Sequence, residues 1–327
     1  MEAMDRLPAF TDVEAAAARL TGIAVRTPLL ESDALNDRVG GRVLLKAECL
    51  QRTGSFKFRG AYHAISRIDA GAVVAYSSGN HAQGVAAAAR LLGKSATIVM
   101  PADAPAIKIE STRAHGAEVR LYDRHAESRE AIGAEIAAQT GAALIRPYDD
   151  PRIIAGQGTV GLELAEQARE RGVRLDLALA PCGGGGLIAG CALALTKAFP
   201  AIAIYAVEPA GLDDTRRSLE TGAREVNAPG ATSICDALLV PTPGELTFAL
   251  NRRLLAGGLA VRDDEVRSAI AFAFRHLKLV LEPGGAVALA AVLAKKLPLE
   301  GRTAAVVLSG GNVDPALFAA AITGCSA

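Results

Sequence analysis

The sequence has 327 residues, is 50% hydrophobic and 21% charged, and contains 33 glycines. This composition is typical of a globular protein, and the length favours two domains because a single hydrophobic core rarely grows past about 250–300 residues. Basic and acidic residues both number 35, so no net charge attracts the chain to nucleic acid or to an anionic membrane, and a small-molecule partner is expected.

Membrane and targeting signals are not predicted. The longest uncharged run, residues 177–196, is interrupted by Pro181 and by four glycines, so we expect no membrane-spanning helix. At the N-terminus, charged residues precede any apolar run, unlike in a secretory signal. The cysteines have an odd count and no paired spacing, which favours a reducing, cytoplasmic location over a zinc site or a disulfide framework; they are Cys49, Cys182, Cys191, Cys235 and Cys325.

Strand and helix signals alternate along the chain in two series. Extended segments at 26–30 and 43–46 come first. In the first series, strands are predicted at 73–76, 96–100, 119–122 and 143–145, with helices near 81–93, 105–115 and 126–140. In the second series, strands are predicted at 175–180, 201–207 and 303–308. Apolar strands separated by helices are typical of parallel sheets covered on both faces, so the sequence predicts an α/β fold with two doubly wound parallel-sheet domains.

The order of these segments predicts an inserted domain. The strands before residue 65 are too few to form a sheet by themselves, so we expect them to join the second series. The large domain then comprises 1–65 and 149–327, and 66–148 forms a smaller domain between its two parts. An inserted domain of this kind is well placed to close over a ligand.

A lysine between two phenylalanines, Lys57, lies where a helix is predicted to begin. Ser55 is expected to cap that helix. The helix dipole and the flanking aromatic rings would then favour a neutral amine over an ammonium at Lys57. A neutral lysine amine captures carbonyl groups, most commonly that of pyridoxal phosphate. The alternative is a surface lysine whose stem packs on the rings.

A run of four glycines, at 183–186, joins a predicted strand to an apolar helix. Consecutive N–H groups at a helix N-terminus form a binding site for an anion such as phosphate. The spacing of Gly184, Gly186 and Ala189 also matches the dinucleotide-binding pattern, and Glu208 lies near the position of a ribose-binding acid. A nicotinamide-dependent oxidoreductase therefore stays open at this point.

Two further polar loops, at 77–81 and 309–314, also follow predicted strands. Ligands of open parallel sheets bind at the carboxyl ends of the strands, so we expect the three loops to converge on one crevice. Together with Lys57, they favour a phosphate-bearing aldehyde over a nicotinamide.

Four motifs, in order along nearly the whole chain, resemble those of one family. They are Ser55-Phe56-Lys57-Phe58-Arg59-Gly60-Ala61, Ser77-Ser78-Gly79-Asn80-His81, the glycines at 183–186, and Ser309-Gly310-Gly311-Asn312. The family is the fold-type II pyridoxal-phosphate enzymes of the threonine/serine dehydratase and serine racemase group, with the fold of the tryptophan synthase β subunit. The resemblance implies a cofactor held between the two domains.

This resemblance also implies a role for each motif. Lys57 would bind the cofactor covalently, Phe56 would pack on its ring, and Asn80 would meet the ring hydroxyl. Ser309 would face the pyridine nitrogen. Because its hydroxyl is neutral, that nitrogen would stay largely unprotonated, which favours prompt β-elimination. The residues implied to bind the phosphate are Gly183, Gly184, Gly185, Gly186 and Leu187.

Substrate and metal sites are implied in the same way. Lys57 would act as the base at Cα, and Ser78 would reprotonate the opposite face in racemase-like relatives. The substrate-binding residues implied are Ser77, Ser78, Asn80, His81 and Arg129. For Arg129 a solvated helix arginine is an equally good interpretation, and His81 is interpreted as a binder and not as a base. A divalent cation site for Mg²⁺ or Ca²⁺ is implied at Glu208, Leu212 and Asp214.

Two positions depart from the family pattern. Ala237 stands where a glycine is usual, so its methyl group narrows the predicted pocket, and Tyr148 stands where dehydratases commonly carry a phenylalanine. The resemblance implies a dehydratase of threonine, serine or a related 3-hydroxy amino acid that forms a 2-oxo acid and ammonia. The alternatives are a serine or aspartate racemase, a 3-hydroxyaspartate ammonia-lyase, a nicotinamide-dependent oxidoreductase, and a non-catalytic amino-acid-binding protein. A homodimer or homotetramer is expected.

Overall fold

Strands and helices alternate along the chain, as the sequence predicts. The computed structural model describes residues 6–104, 106–123 and 126–324. The strands are β1 (Leu29–Glu31), β2 (Arg42–Ala47), β3 (Ala72–Tyr76), β4 (Ser95–Pro101), β5 (Glu118–Tyr122), β6 (Ala143–Leu144), β7 (Leu177–Pro181), β8 (Ala203–Pro209), β9 (Gly257–Val261) and β10 (Thr303–Leu308).

The helices pack on both sides of these strands. They are α1 (Phe10–Leu20), α2 (Asp33–Val39), α3 (Lys57–Ile65), α4 (Asn80–Leu91), α5 (Ala106–Ala114), α6 (Arg129–Thr140), α7 (Pro151–Glu170), α8 (Gly186–Ala198), α9 (Asp214–Thr221), α10 (Glu245–Leu254), α11 (Asp263–Phe272), α12 (Pro283–Leu293) and α13 (Pro315–Thr323). Within the described ranges, none of them is both long and apolar enough to cross a membrane.

The strands form two sheets. The larger has the order β1-β2-β10-β7-β8-β9 and the smaller the order β5-β4-β3-β6. All neighbouring strands are parallel except the edge pair β1–β2. Strand β2 pairs with β10, so the early segments join the second series as predicted. The smaller sheet spans 72–144, inside the predicted insertion 66–148, whose exact boundaries stay a prediction.

Strand β9 was not predicted. Its sequence, Gly-Gly-Leu-Ala-Val, has only one β-branched residue, so it lacks the composition that marks a strand. It nevertheless pairs with β8 along its whole length, with Glu208 opposite Ala260. Tertiary pairing therefore overrides a weak local preference at this edge of the sheet.

Strand β10 shows how the larger sheet is buried. Ala304, Val306 and Leu308 belong to the core on one face, whereas Ala305 and Val307 belong to the core on the other. Successive side chains of a strand point to opposite faces, so an unbroken apolar run is required here. This covered sheet holds the carboxyl end of β10 in a fixed place.

Helix α7 lies between α3 and α8 and packs against both through glycines. A Cβ atom at Gly156 would lie 2.6 Å from the Cα of Gly60 on α3, and one at Gly161 would lie 2.7 Å from the Cα of Cys191 on α8. Neither contact leaves room for a side chain. The glycines therefore fix how far the start of α3 lies from the start of α8.

A buried ion cluster centred on Arg59 ties α3 to the rest of the fold. The guanidinium, which is fully buried, donates to both carboxylate oxygens of Glu48 at 2.8 Å and to Glu163 on α7 at 2.7 and 2.9 Å. Lys46 on β2, also fully buried, reaches the same Glu163 at 2.7 Å. A charged group that is buried away from water needs partners of opposite charge. The cluster therefore fixes how β2, α3 and α7 pack together.

We expect Arg59→Met to lower the free energy of unfolding by about 3–5 kcal/mol, because it leaves the Glu48 carboxylate buried without its cation. Urea denaturation measures the change. The matched control is Arg26→Met, which removes an exposed pair with Glu170 and is expected to lower it by about 0–1 kcal/mol. Equal effects of the two substitutions would contradict a structural role of the cluster.

Candidate active site

Three loops at the carboxyl ends of β3, β7 and β10 surround a cavity of about 650 Å³. All of the residues predicted for the cofactor and the substrate line it. They are Phe56, Lys57, Ser77, Ser78, Asn80, His81, Arg129, Gly183, Gly184, Gly185, Gly186, Leu187 and Ser309. The predicted metal residues Glu208, Leu212 and Asp214 are not among the lining residues. The expected convergence of the strand-end loops is therefore present.

Lys57 is the first residue of α3, and its Nζ donates to the carbonyl of Pro147 at 2.7 Å. Burial lowers the pKa of this amine to about 8, although the nearby Glu282 carboxylate raises it. The ring of Phe56 lies beside it, with its centroid 5.3 Å from Nζ. Near neutral pH a larger minority of this amine is therefore neutral than for an exposed lysine, and the neutral amine is the state needed for carbonyl capture.

The predicted helix cap at Ser55 is wrong. The capping position is Phe56, whose side chain makes no capping bond, and the buried hydroxyl of Ser55 has no hydrogen-bond partner. Ser55 instead forms an isolated antiparallel bridge with Gly310. The chain enters the helix as a strand-like segment, so the hydroxyl is aimed away from the first turn.

Backbone hydrogen bonds join the segment before Lys57 to the loop after β10. The N–H of Phe56 donates to the carbonyl of Ser309 at 3.1 Å, and the N–H of Gly311 donates to Gly54 at 2.9 Å. The amide of Asn312 donates to the carbonyl of Thr53 at 2.7 Å. These bonds hold the segment before Lys57 directly against the loop that contains Ser309.

The glycine run passes from β7 into the first turn of α8. Gly185 has a φ of +89°, which favours glycine, and a Cβ atom at Gly184 would lie 2.3 Å from the ring of Tyr148. The N–H groups of 183–185 donate no backbone hydrogen bond within the described chain. With the helix dipole behind them, these groups form a site for an anion.

Asn80, at the start of α4, is held by two partners. Its Nδ2 donates to the Glu282 carboxylate at 2.5 Å, and its Oδ1 accepts from Asn312 at 2.7 Å. Both bonds fix the orientation of the amide. The second hydrogen on Nδ2 remains available as a donor toward the cavity that Asn80 lines.

His81 is a neutral, buried imidazole. Its Nε2 lies 3.0 Å from the carbonyl of Ile145, which can only accept, so Nε2 carries the proton. Burial and the charge of Lys57 lower its pKa to about 3. At neutral pH it cannot supply a positive charge to a ligand.

Sequence reasoning missed Glu282. This buried carboxylate lines the cavity, and its Oε1 would lie 2.1 Å from a Cβ atom at Gly310, so only glycine fits opposite it. Burial raises its pKa to about 7, with Asp236 acting in the same direction and Asn80 opposing it. Its only sequence signal, an acid before the proline that begins α12, is that of an ordinary helix start.

The segment Tyr148-Asp149-Asp150 connects the cavity to two helices. The Asp149 carboxylate accepts from the N–H groups of the first turn of α10 at 3.0–3.2 Å, and Asp150 accepts from the N–H of Arg152 on α7 at 2.8 Å. The ring of Tyr148 packs on Gly184. These aspartates are helix caps, a function that spacing alone did not indicate.

Arg129 lies at the edge of the cavity with about half of its side chain exposed. It pairs with Glu130 at 2.8 Å, and its guanidinium carbon lies 5.4 Å from the ring centroid of Tyr76. Ala237 also lines the cavity. Arg129 therefore lines the cavity, but one side of its guanidinium is already paired with the carboxylate of Glu130.

The predicted metal residues are buried around the start of α9, and no group of three or more His, Cys, Asp or Glu side chains that could hold a metal ion is found among the described residues. Both oxygens of Glu208 accept backbone N–H groups, from Thr215 at 2.9 Å and from Arg216 at 2.8 Å. The Asp214 carboxylate accepts from Asn227 at 2.6 Å through Oδ1, while its buried Oδ2 has no hydrogen-bond partner. Burial raises the pKa of Glu208 to about 8 and that of Asp214 to about 6. Since Glu208 is fully buried and engaged, it does not suit a ribose.

Comparisons with known proteins agree with this geometry. The chain is 42% identical to the L-threo-3-hydroxyaspartate ammonia-lyase of Saccharomyces cerevisiae, over 97% of each chain. A crystal structure of the T.th. threonine deaminase matches with a TM-score of 0.89 and 44% identity, covering 94% of this chain and 99% of that one. Maize serine racemase matches with a TM-score of 0.90 and 36% identity, covering 98% of each. The family model described as pyridoxal-phosphate dependent enzyme matches residues 20–310, so the chain belongs to this family, with its fold-type II architecture.

Proposed function

We propose that this protein is a pyridoxal-phosphate-dependent ammonia-lyase that converts a 3-hydroxy amino acid to a 2-oxo acid and ammonia. The observation that carries the proposal is a lysine amine with a lowered pKa, Lys57, in one cavity with a glycine-built anion site. The names of the yeast and T.th. relatives, an ammonia-lyase and a deaminase, support the reaction type.

The residues present fit the cofactor. The glycine run provides unbonded N–H groups for the phosphate, and a Cβ atom at Gly184 would clash with the ring of Tyr148 that packs on the run. Lys57 provides the amine for the aldehyde. Asn80 provides a donor for the ring hydroxyl, and Ser309 lines the same cavity and provides a hydroxyl for the ring nitrogen. When bound, pyridoxal phosphate supplies an electron-withdrawing ring that acidifies Cα of an attached amino acid.

Lys57 acts as the base in the mechanism that we propose. Its neutral amine accepts the Cα proton. The bond between Cβ and oxygen then breaks as the double bond between Cα and Cβ forms, and the hydroxyl takes up the proton that Lys57 accepted and leaves as water. The carbonyl of Pro147, which accepts from Nζ at 2.7 Å, steadies the amine in the cavity. The released product hydrolyses to the 2-oxo acid and ammonia.

The start of α4 is the proposed site for the α-carboxylate of the substrate. Ser77, Ser78, Asn80 and His81 line the cavity around this helix N-terminus, where N–H groups and the helix dipole favour an anion. Because His81 is neutral and its one ring proton is bonded to the carbonyl of Ile145, it can offer a carboxylate only its backbone N–H in the first turn of α4, and no charge. Arg129 is proposed as a further contact from the cavity edge.

A racemase activity is the second candidate. Ser78 lines the cavity and carries a hydroxyl that could return a proton to Cα, and the maize relative is named a serine racemase. We propose Ser78 as the acid on the face opposite Lys57. Chiral analysis of the amino acid recovered after partial turnover separates this activity from β-elimination.

We also propose a Mg²⁺ or Ca²⁺ site at Glu208, Leu212 and Asp214. The unbonded, buried Oδ2 of Asp214 and the two carboxylates whose pKa values are raised by burial support a cation there. With a carbonyl from Leu212, the ligands are oxygens, as these ions prefer. None of the three residues lines the cavity, so a structural role is proposed.

The remaining expectations concern the whole protein. We propose that 66–148 moves as a small domain over the cavity, and that the chain forms a homodimer or homotetramer, which light scattering would measure. A cytoplasmic location stays an expectation from cysteine use, in keeping with the free, buried thiols of Cys49, Cys182, Cys191 and Cys235.

The reaction is tested with a panel of L- and D-threonine, serine and 3-hydroxyaspartate. We expect at least one of them to release ammonia and a 2-oxo acid in equal amounts. Lys57→Ala should lose this activity and the near-visible absorbance of the bound cofactor, because the capturing amine is gone. Lys197→Ala, an exposed lysine on α8, should retain both. No product from any substrate by the cofactor-loaded protein would contradict the proposal.

Cofactor capture should depend on pH through Lys57. The rate at which cofactor-free protein captures pyridoxal phosphate is expected to rise with pH, with a midpoint at a pKa of about 8, because only the neutral amine reacts. The near-visible absorbance measures it. Glu282→Gln removes a charge that raises the pKa of Lys57, so the midpoint should move to lower pH. A midpoint near the ordinary lysine value of about 10.4 would contradict the burial argument.

The cation site is tested by thermal unfolding. We expect Mg²⁺ or Ca²⁺ to raise the Tm and a chelator to reverse the rise, because the ion binds the folded chain only. Asp214→Asn should abolish the rise. Glu220→Gln, which changes an exposed carboxylate on the same helix, should leave it intact. An unchanged response in Asp214→Asn would place the ion elsewhere.

A further inference from the structure

Most charged side chains around the cavity are already paired. Three of its cations each meet a carboxylate that also lines the cavity. These pairs are Lys108 with Asp236, Arg129 with Glu130 at 2.8 Å, and Arg224 with Glu245 at 3.0 Å. No excess charge remains on these six residues.

The other two lining carboxylates also have partners. Asp149 accepts from the N–H groups that begin α10, and Glu282 accepts from Asn80 and lies in the field of Lys57. Among the cations, Lys57 is reserved for the cofactor. One charged group is then left over, the guanidinium of Arg146, which makes no hydrogen bond or ion pair with any other described residue although it lines the cavity.

The backbone places Arg146 next to the reacting groups. The carbonyl of the preceding residue, Ile145, accepts from His81 at 3.0 Å, and that of the following residue, Pro147, accepts from Lys57 at 2.7 Å. Both neighbours are thus fixed against residues proposed to bind substrate or cofactor. The side chain between them is solvent-accessible and has donors to offer.

We infer that Arg146 is a specificity-determining residue that binds the distal carboxylate of a dicarboxylic 3-hydroxy amino acid. This inference rests on the proposed function and names its substrate class. The two anions common to every reaction of this type, the cofactor phosphate and the α-carboxylate, have proposed sites at the N-termini of α8 and α4. A third anion is needed only when the substrate carries a second carboxylate.

The chemistry of the guanidinium suits this role. Arginine presents a planar set of donors that matches a carboxylate with two parallel hydrogen bonds, and it keeps its charge at every relevant pH. A monocarboxylic substrate such as threonine would leave this cation without a partner in the cavity. The preference would therefore show as a difference in kcat/KM between the two substrate classes.

The test compares Arg146→Met with Arg224→Met, a matched change at another lining arginine that already has its own carboxylate. We expect Arg146→Met to lower kcat/KM for L-threo-3-hydroxyaspartate about 30-fold, equivalent to about 2 kcal/mol, while kcat/KM for L-threonine and L-serine changes less than about threefold. Arg146→Lys should restore part of the loss. Arg224→Met should preserve the ratio between the substrates.

Several outcomes would overturn the inference. An equal loss on all substrates would place the α-carboxylate at Arg146, and a weakened affinity for pyridoxal phosphate would place the phosphate there. A selective loss in Arg129→Met, without one in Arg146→Met, would move the distal carboxylate to Arg129. Unchanged kinetics in Arg146→Met would also contradict it.

A binding measurement keeps this inference separate from the proposed reaction. Malate carries both carboxylates of 3-hydroxyaspartate without the amine, and 3-hydroxybutyrate lacks the distal one. We expect malate to raise the Tm of the cofactor-loaded protein more than 3-hydroxybutyrate does, and this difference to vanish in Arg146→Met but persist in Arg224→Met. If no substrate is turned over, the proposed reaction fails while this result still decides the role of Arg146. Equal responses to both ligands in the unsubstituted protein would overturn it.

Discussion

A buried guanidinium two residues beyond Lys57 constrains where helix α3 begins at the cavity. Arg59 cannot leave its carboxylate partners, because any partner left alone would be a charge without water or counterion. Its partners sit after β2 and on α7, so the start of α3 is fixed from two directions. The ion pairs of Arg59 therefore help to fix the position of Lys57 from outside the cavity.

Within the cavity, burial shifts the pKa values of three titratable groups. It lowers the pKa of Lys57 and of His81 and raises that of Glu282, so each moves toward its neutral form. Lys57 and Glu282 partly oppose these shifts by attracting each other. The result is a larger neutral fraction of the Lys57 amine near neutral pH than an exposed lysine has, and a carboxylate that holds Asn80 in one orientation.

The sequence alone predicted those structural features that are encoded by patterns a few residues long. The alternation of strands and helices, the strand-end loops and the glycine run all carry a signal within a few residues, and these features positioned Lys57, Asn80 and Ser309 in one cavity. The pairing of β9, whose residues have weak strand preference, depends on β8 about fifty residues earlier. Local patterns could not reveal it.

Some site residues were missed for the same reason, because their contacts join distant parts of the chain. Glu282 and Asn80 are about two hundred residues apart in sequence and meet only in the folded chain. Asp149 follows a strand of one sheet but caps a helix, α10, that lies about one hundred residues later. The wrong cap at Ser55 arose because the backbone before Lys57 is drawn into a bridge with Gly310. Contacts between residues far apart in sequence therefore determine these parts of the site, and short sequence patterns do not reveal them.

The glycine contacts between α3, α7 and α8 have a consequence for evolution. Because backbone touches backbone there, a mutation at Gly156 or Gly161 would push apart the two helices that begin at Lys57 and at the glycine run. Selection should therefore hold this part of the chain nearly unchanged among descendants. Novel substrate preferences would then have to arise from the loops at the mouth of the cavity, so enzymes of this lineage can diversify in what they consume while inheriting the same chemical step.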